Sequence, residues 1–209
     1  MSNEWTKPQH ALEYLSRLTT IPHRQEGEAT LIAEVCKDSE RILDLGCGNG
    51  HLLNLLLAHC PLAHGVGLDL SETMLDEARK RFVGNPRATL FQHNFDEAIP
   101  NLGVFDVVAS SFAIHHCNHD RKRSLYEEIW DALAHGGVFC NLEHVASPND
   151  SVHCRFLEAM NCRPEDEDPS NKLLDVETQL DWLRQIGFDD VDCYWKWREL
   201  ALLLGRKPK

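Results

Sequence analysis

The sequence predicts an α/β fold: a mostly parallel sheet with helices on both faces. Three observations lead there. From Arg41 onward, short apolar runs alternate with amphipathic segments of helical period. The runs are apolar on both faces, as strands in a sheet covered on both sides must be. At the C-terminal end two strand-like runs, 190–197 and 198–207, stand almost without a linker, which predicts a hairpin and an antiparallel last strand.

Each element has a local cause. A first helix follows Pro8, with Ala11, Leu12, Leu15 and Leu18 on one face, and a second spans about 26–36 with Leu31, Ile32 and Val35 apolar. Between them Ile21-Pro22-His23-Arg24 forms a non-helical joint, because proline restricts the residue before it. The strands are expected at 41–45, 64–70, 88–93, 105–112 and 137–145, with helices at roughly 50–59, 71–82 and 120–134. Gly136-Gly137 is read as the stop of the third of these helices. A helix near 150–161 precedes the acidic stretch 164–171, read as a surface loop. A helix over 176–188, closed by Gly187, leads into the hairpin. Residues 1–40 are expected to form an N-terminal helical cap on a domain spanning 41–209.

Composition removes several function classes. The chain has 209 residues, with 21 Lys plus Arg against 33 Asp plus Glu, a net charge of −12. That balance speaks against nucleic acid held by phosphate contacts, which need a basic surface. No apolar run approaches the roughly 20 residues of a membrane helix. The start MSNEWTKPQHALEYL lacks a basic segment followed by an apolar one, so no signal peptide is expected. The 8 cysteines are scattered without a CxxC pair, the usage of a reduced, cytoplasmic protein.

Two motifs carry the chemistry. Ile42-Leu43-Asp44-Leu45-Gly46-Cys47-Gly48-Asn49-Gly50 is a strand running into a glycine-rich turn and then a helix. Glycines let backbone approach a ligand closely. The spacing is G-x-G-x-G, so the G-x-G-x-x-G dinucleotide fingerprint is not met. Asp44, just before the turn, would repel a pyrophosphate and suit an ammonium group. Asp69, at the end of the next strand in Gly67-Leu68-Asp69-Leu70-Ser71, stands about 20 residues on, where an acidic side chain accepts ribose hydroxyls.

With Met74-Leu75, Asn94-Phe95, Ile99-Pro100, FDVVASSFAIHH and LAHGGVF following in order, the sequence resembles the class I S-adenosylmethionine-dependent methyltransferases over about residues 26–207. The resemblance implies a Rossmann-like methyltransferase fold with seven strands, the last antiparallel, and S-adenosylmethionine as cofactor, S-adenosylhomocysteine as product. It implies that the turn of Gly46, Cys47, Gly48 and Gly50 passes against the methionine part. Asp69 would hold the ribose with Leu70 beside it, and Met74 and Phe95 would sandwich the adenine. The backbone near Ser110 and Ser111 would meet the amino group. Asn94 stands where the family usually has an aspartate that binds the adenine amino group; an amide oxygen can still accept that bond. Arg24 would clamp the methionine carboxylate from the N-terminal cap.

The acceptor side is expected at the carboxyl ends of the fourth and fifth parallel strands. His115, His116 and His144 are candidate bases there, with Glu143 orienting a histidine or binding a cationic substrate. His115-His116-Cys117-Asn118-His119, Glu143-His144 and His153-Cys154 are dense in metal-ligand types, but their spacing matches no standard site, so no metal is expected. Trp195 and Trp197 share a strand face and are read as sheet packing beneath a helix, with an aromatic wall for substrate as the rival reading; Trp5 and Tyr14 are candidate lid residues. The expected function is methyl transfer to a small-molecule acceptor by a monomer or homodimer without a membrane partner. Two rivals are tRNA or RNA methylation, resting on Arg79-Lys80-Arg81, Arg121-Lys122-Arg123 and the Arg206-Lys207-Lys209 tail, and a non-catalytic cofactor-binding subunit.

Overall fold

The computed structural model describes residues 5, 7–17 and 21–209, the side chains of Tyr14, Ser16 and Arg17 excepted. Leu18 and the side chain of Tyr14 therefore lie outside the described residues. The elements run α1 (Pro8–Arg17), α2 (Arg24–Ala33), β1 (Arg41–Leu45), α3 (His51–His59), β2 (His64–Asp69), α4 (Glu72–Arg81), β3 (Ala88–Gln92), β4 (Phe105–Ser111), α5 (His119–Ala132), β5 (Leu133–His144), α6 (Asp150–Ala159), α7 (Val176–Ile186), β6 (Asp189–Trp197) and β7 (Leu200–Arg206).

The seven strands form one sheet in the order β3-β2-β1-β4-β5-β7-β6. β1 to β5 are parallel, and β7 inserts antiparallel between β5 and β6. This is the Rossmann-like sheet expected from the alternating pattern and the hairpin. The strand order reverses between β1 and β4, and at such a point the carboxyl ends diverge and leave a crevice.

The strand period sorts the core. Ile42 of β1 joins a cluster with Leu31 of α2, Leu52, Leu53 and Leu56 of α3 and Phe156 of α6; Leu43 and Leu45 join Leu125, Tyr126 and Ile129 of α5 and Leu183 of α7 on the other face. Trp195 and Trp197 pack against the first cluster. A side chain at Gly27 of α2 would strike the Trp195 ring at 2.9 Å, so α2 sits directly on these indoles. The His23 ring lies 4.7 Å from Trp197.

Two local expectations are corrected. Helix α2 starts at Arg24 rather than 26, because His23 takes a left-handed conformation (φ 59) that turns the chain into the helix. The pair Gly136-Gly137 does not stop α5; it lies inside β5, which begins at Leu133. A register shift opposite Phe105 and Val107 absorbs the extra residues, and a Cβ at Gly137 would meet the Asp106 carbonyl at 3.0 Å.

Candidate active site

A cavity enclosing about 860 Å³, mouth included, opens at the crevice between β1 and β4. Its wall is built from the turn after β1 (Gly46, Cys47, Gly48), the end of β2 (Asp69, Leu70), Met74 of α4, the loop after β3 (Asn94, Phe95, Asp96) and the segment after β4 (Ser111, Phe112, His116); Arg24 and Trp5 close it.

The glycine turn is shaped by packing. Gly46 has φ +71, and a Cβ there would lie 2.1 Å from that of Ala113. Gly46→Ala combines a left-handed alanine with a clash against the Ala113 methyl, so it is expected to cost about 2–3 kcal/mol. In a chain of this size that is a fall of about 5–10 °C in Tm by calorimetry; an unchanged Tm would mean that Ala113 moves freely.

Asp69 terminates β2 and organises the turn. Its Oδ2 accepts the Gly48 N–H and its Oδ1 the Ser71 N–H, both at 2.8 Å. Burial raises its pKa to about 6 despite those bonds. Asp44 lies one layer behind the turn and does not line the cavity. Both its carboxylate oxygens are buried without a hydrogen-bond partner. Burial and the charge of Asp69 raise its pKa to about 8, with the charge of Arg24 opposing them. The Cys47 thiol is held neutral, pushed far up by burial beside both aspartates.

Arg24 sits at the opposite wall. Its Nε donates to Glu28 Oε1 at 2.6 Å, its guanidinium stands 5.6 Å from the Phe112 ring centroid, and its Nη1 is buried with no partner. Glu28 also bonds His51 Nε2 at 3.1 Å. Burial pushes the Glu28 carboxyl up, but His51 and Arg24 outweigh it and hold it lowered. Asn94 Oδ1 accepts the Asp96 N–H at 3.0 Å, which fixes the loop; the oxygen keeps a second lone pair.

Of the residues expected at the cofactor, Arg24, Gly46, Cys47, Gly48, Asp69, Leu70, Met74, Asn94, Phe95 and Ser111 line this cavity. Gly50 instead caps α3 against Phe82. The Ser110 hydroxyl is turned inward and donates to the Leu45 carbonyl at 2.8 Å, so Ser111 is the serine whose side chain reaches the cavity.

The candidate bases separate in the same way. His116 lines the cavity, whereas His115, Glu143 and His144 stand behind it. His115 Nδ1 bonds Glu143 Oε1 at 2.6 Å, both side chains being buried, and its ring lies against that of His116, centroids 4.1 Å apart and tilted by 45°. Burial lowers the pKa of His115 although Glu143 opposes it, and burial with the neighbouring His115 lowers that of His116 further. His144 is not brought to the cavity: its Nε2 is bound to Glu199, which also holds His153 and Ser147. Among the described residues no group of three His, Cys, Asp or Glu is placed to hold a metal. No described helix is long and apolar enough to cross a membrane.

Known proteins agree with this architecture. Residues 42–137 match the Methyltransferase domain family. Trans-aconitate 2-methyltransferase of Acidovorax ebreus is 36% identical over 121 residues, 55% of this chain and 45% of that protein. A tRNA U34 carboxymethyltransferase of Pseudomonas fluorescens is 30% identical over 162 residues, 74% of this chain and 47% of that one. The chain thus spans about half the length of these relatives. An O-methyltransferase family protein of Burkholderia thailandensis superposes with a TM-score of 0.76 at 18% identity, covering 99% of this chain and 62% of that one. The fold is that of Rossmann-like methyltransferases. The chain is similar to methyltransferases in sequence over residues 42–137 and in fold over nearly its whole length, a fold shared by human N-acetylserotonin methyltransferase, solved in complex with S-adenosylmethionine.

The residues present fit that cofactor. Arg24 Nη1 and Ser111 Oγ are buried polar atoms without partners at the cavity wall, available to a carboxylate and an ammonium-bearing group. Asn49, His51, Leu52, Asp96, Phe112, Ala113 and Cys117 also line the cavity and were not singled out by sequence reasoning. Their signal was adjacency: each flanks a motif residue, or faces one a helical turn away.

Proposed function

We propose that the protein transfers a methyl group from S-adenosylmethionine to a small-molecule acceptor. The carrying observation is the cavity at the β1–β4 crevice, in which a glycine turn, an acidic strand end and an apolar pair surround unpaired buried donors. When bound, the cofactor supplies a methyl carbon on a sulfonium centre. Gly46, Cys47 and Gly48 present backbone to its methionine part. Arg24 faces the carboxylate, and Asp44 adds negative charge behind the ammonium. Asp69 accepts the ribose hydroxyls, Leu70, Met74 and Phe95 enclose the adenine, and Asn94 takes its amino edge. The histidines at the same mouth serve the acceptor.

The charges support a small acceptor. Arg79 pairs with Glu72 and Asp76, Lys80 with Glu77, Arg121 with Glu128 and Arg206 with Glu34. Arg121 also donates to the Phe95 and Glu97 carbonyls, stapling the loop that lines the cavity. Lys207 donates to the Trp130 and Leu133 carbonyls. The basic runs are thus largely neutralised, unlike a phosphate-tracking surface. The second reading, methylation of tRNA, is favoured by the tRNA-modifying relative.

Calorimetry with S-adenosylmethionine and S-adenosylhomocysteine tests the cofactor assignment, and no binding of either would overturn it. A metabolite extract incubated with isotope-labelled S-adenosylmethionine identifies the acceptor by product mass. Label appearing only in added tRNA, at physiological salt, would replace the small-molecule reading. Arg24→Ala is expected to weaken S-adenosylhomocysteine about tenfold, since it removes a charge-assisted hydrogen bond. Unchanged affinity would leave Arg24 a purely structural partner of Glu28.

A further inference from the structure

The acidic stretch 164–171, expected as a surface loop, sets Ser170 against His116 of the cavity wall. Ser170 Oγ lies 2.8 Å from His116 Nδ1 and 2.7 Å from Asp168 Oδ1. Asp168 Oδ1 also accepts the Ser170 N–H at 2.8 Å, so the two residues form one rigid turn. Asp168 Oδ2 stands 3.4 Å from His10 Nε2 of α1. The Trp5 ring, itself at the cavity mouth, lies 5.1 Å from that of His116.

These contacts fix the direction of every proton in the chain. A carboxylate only accepts, so the single Ser170 hydroxyl proton goes to Asp168. The serine oxygen must then accept from His116, which places the imidazole proton on Nδ1. Nε2 is left as a lone pair on the one histidine of the candidate set that lines the cavity. We propose that Asp168 and Ser170 are positioning residues that set the tautomer of His116, making its Nε2 the proton acceptor for a protic O–H, N–H or S–H methyl acceptor.

The proposal rests on the methyl-transfer reading above and deepens it by naming the acceptor class. Transfer of a methyl cation equivalent to a neutral X–H group consumes the positive charge at sulfur and must release one proton. The X–H bond breaks as the X–C bond forms, and the proton passes to His116 Nε2. The imidazolium keeps its Nδ1 proton hydrogen-bonded to Ser170, with Asp168 offsetting the charge, until solvent removes a proton after product leaves. The groups facing the imidazole are suited to this. His115, tilted against it, is engaged with Glu143, while His144 is engaged with Glu199 and Cys117 is a buried neutral thiol pushed up to about 12. His10 meets the array at Asp168 and at the Trp5 ring. None competes with Nε2 for the acceptor proton. The His115–Glu143 pair is left as the buried platform under the base.

The test needs no acceptor. Protein labelled with ¹⁵N-histidine, with S-adenosylhomocysteine added as probe, is examined by long-range ¹H–¹⁵N correlation, and His116 is assigned by the peaks lost in His116→Gln. The expected result is the Nδ1–H tautomer in the wild type and a return toward Nε2–H in Ser170→Ala, with Ser170→Thr, which keeps the hydroxyl, behaving as wild type. An Nε2–H tautomer in the wild type, or no change in Ser170→Ala, overturns the proposal. With the acceptor in hand, Ser170→Ala and Asp168→Asn should lower kcat at least tenfold and shift the acid limb of the pH profile, with KM for S-adenosylmethionine changing less than threefold. A parallel loss in KM alone would mark the loop as structural and overturn the positioning role. Failure of S-adenosylhomocysteine to bind in calorimetry would instead remove the methyl-transfer reading, whatever the tautomer.

Discussion

Replacing Asp69 with alanine is expected to weaken S-adenosylhomocysteine binding at least 100-fold. The side chain does two things at once. Its oxygens already hold the Gly48 and Ser71 amides, which sets the glycine turn against the cavity. Each oxygen has further acceptor capacity for one hydroxyl of a vicinal diol. Hydrogen bonds to a charged group are each worth about 1.5–3 kcal/mol, so two give about 3–6 kcal/mol, or a factor of about 10²–10⁴. Asp69→Asn keeps one acceptor oxygen and is expected to lose about tenfold. Calorimetry at pH 8 separates the two variants; equal, small losses would place the ribose elsewhere.

The same carboxylates predict how binding depends on pH. In the cofactor-free protein Asp69 has a pKa raised to about 6 and Asp44 one raised to about 8, both chiefly by burial. A diol at Asp69 and an ammonium near Asp44 favour the ionised forms, so binding releases protons. Affinity is therefore expected to climb from pH 5 to pH 8 and level off above it. Stability of the cofactor-free protein runs the other way. These two groups bind more protons folded than unfolded, so their contribution falls as pH rises from about 4 through about 8. Cofactor should thus raise Tm more at pH 8.5 than at pH 6.

Much of this site was legible because its residues are close in sequence to a strand end. In a parallel sheet the residue after a strand is placed by the strand itself, so Gly46–Gly48, Asp69 and Ser111 follow from three apolar runs and their order. Backbone chemistry marked the same places, since only glycine tolerates the approach of Gly46 to Ala113. What lay outside sequence reasoning depends on contacts with no period. Ser170 meets His116 across 54 positions, and nothing in PEDEDPSN distinguishes a solvated acidic loop from one that turns a serine inward. The side-chain choice between adjacent residues was equally hidden. Ser110 and Ser111, or His115 and His116, point oppositely only once the strand and the short turn after it fix their directions. His144 illustrates the reverse case. Its strand position was right, but Glu199, arriving on the β6–β7 turn, captures its ring nitrogen.

Glu143→Gln is expected to destabilise the fold by about 3–5 kcal/mol, although it changes no volume. Glu143 is fully buried on β5, where its oxygens take His115 Nδ1, the His144 amide and, at 3.4 Å, the Asn141 amide group. Lys122 of α5 is buried just as completely, and among the described residues its ammonium donates to the Lys172 carbonyl alone, at 3.2 Å. Burial lowers the pKa of Lys122 while the charge of Glu143 opposes that shift. Burial raises that of Glu143, yet His115 and Lys122 outweigh it and hold the carboxyl below its ordinary value. Glu143 keeps its charge chiefly through His115, with Lys122 adding to it, and the charge of Glu143 in turn supports that of Lys122. Breaking one member of a buried charge set costs about 3–5 kcal/mol, because the other is left uncompensated. For a chain of this length that is a fall of about 10 °C or more in Tm. The double variant Glu143→Gln, Lys122→Met removes the stranded ammonium and should recover at least half of the loss. The pH response separates charge from packing: a carboxyl with a lowered folded pKa contributes stability above about 4.5 that is lost on acidification. Wild type should accordingly lose more Tm between pH 6 and pH 4 than Glu143→Gln does. Parallel Tm curves for the two proteins, or no recovery in the double variant, would show that Glu143 acts through hydrogen-bond shape alone.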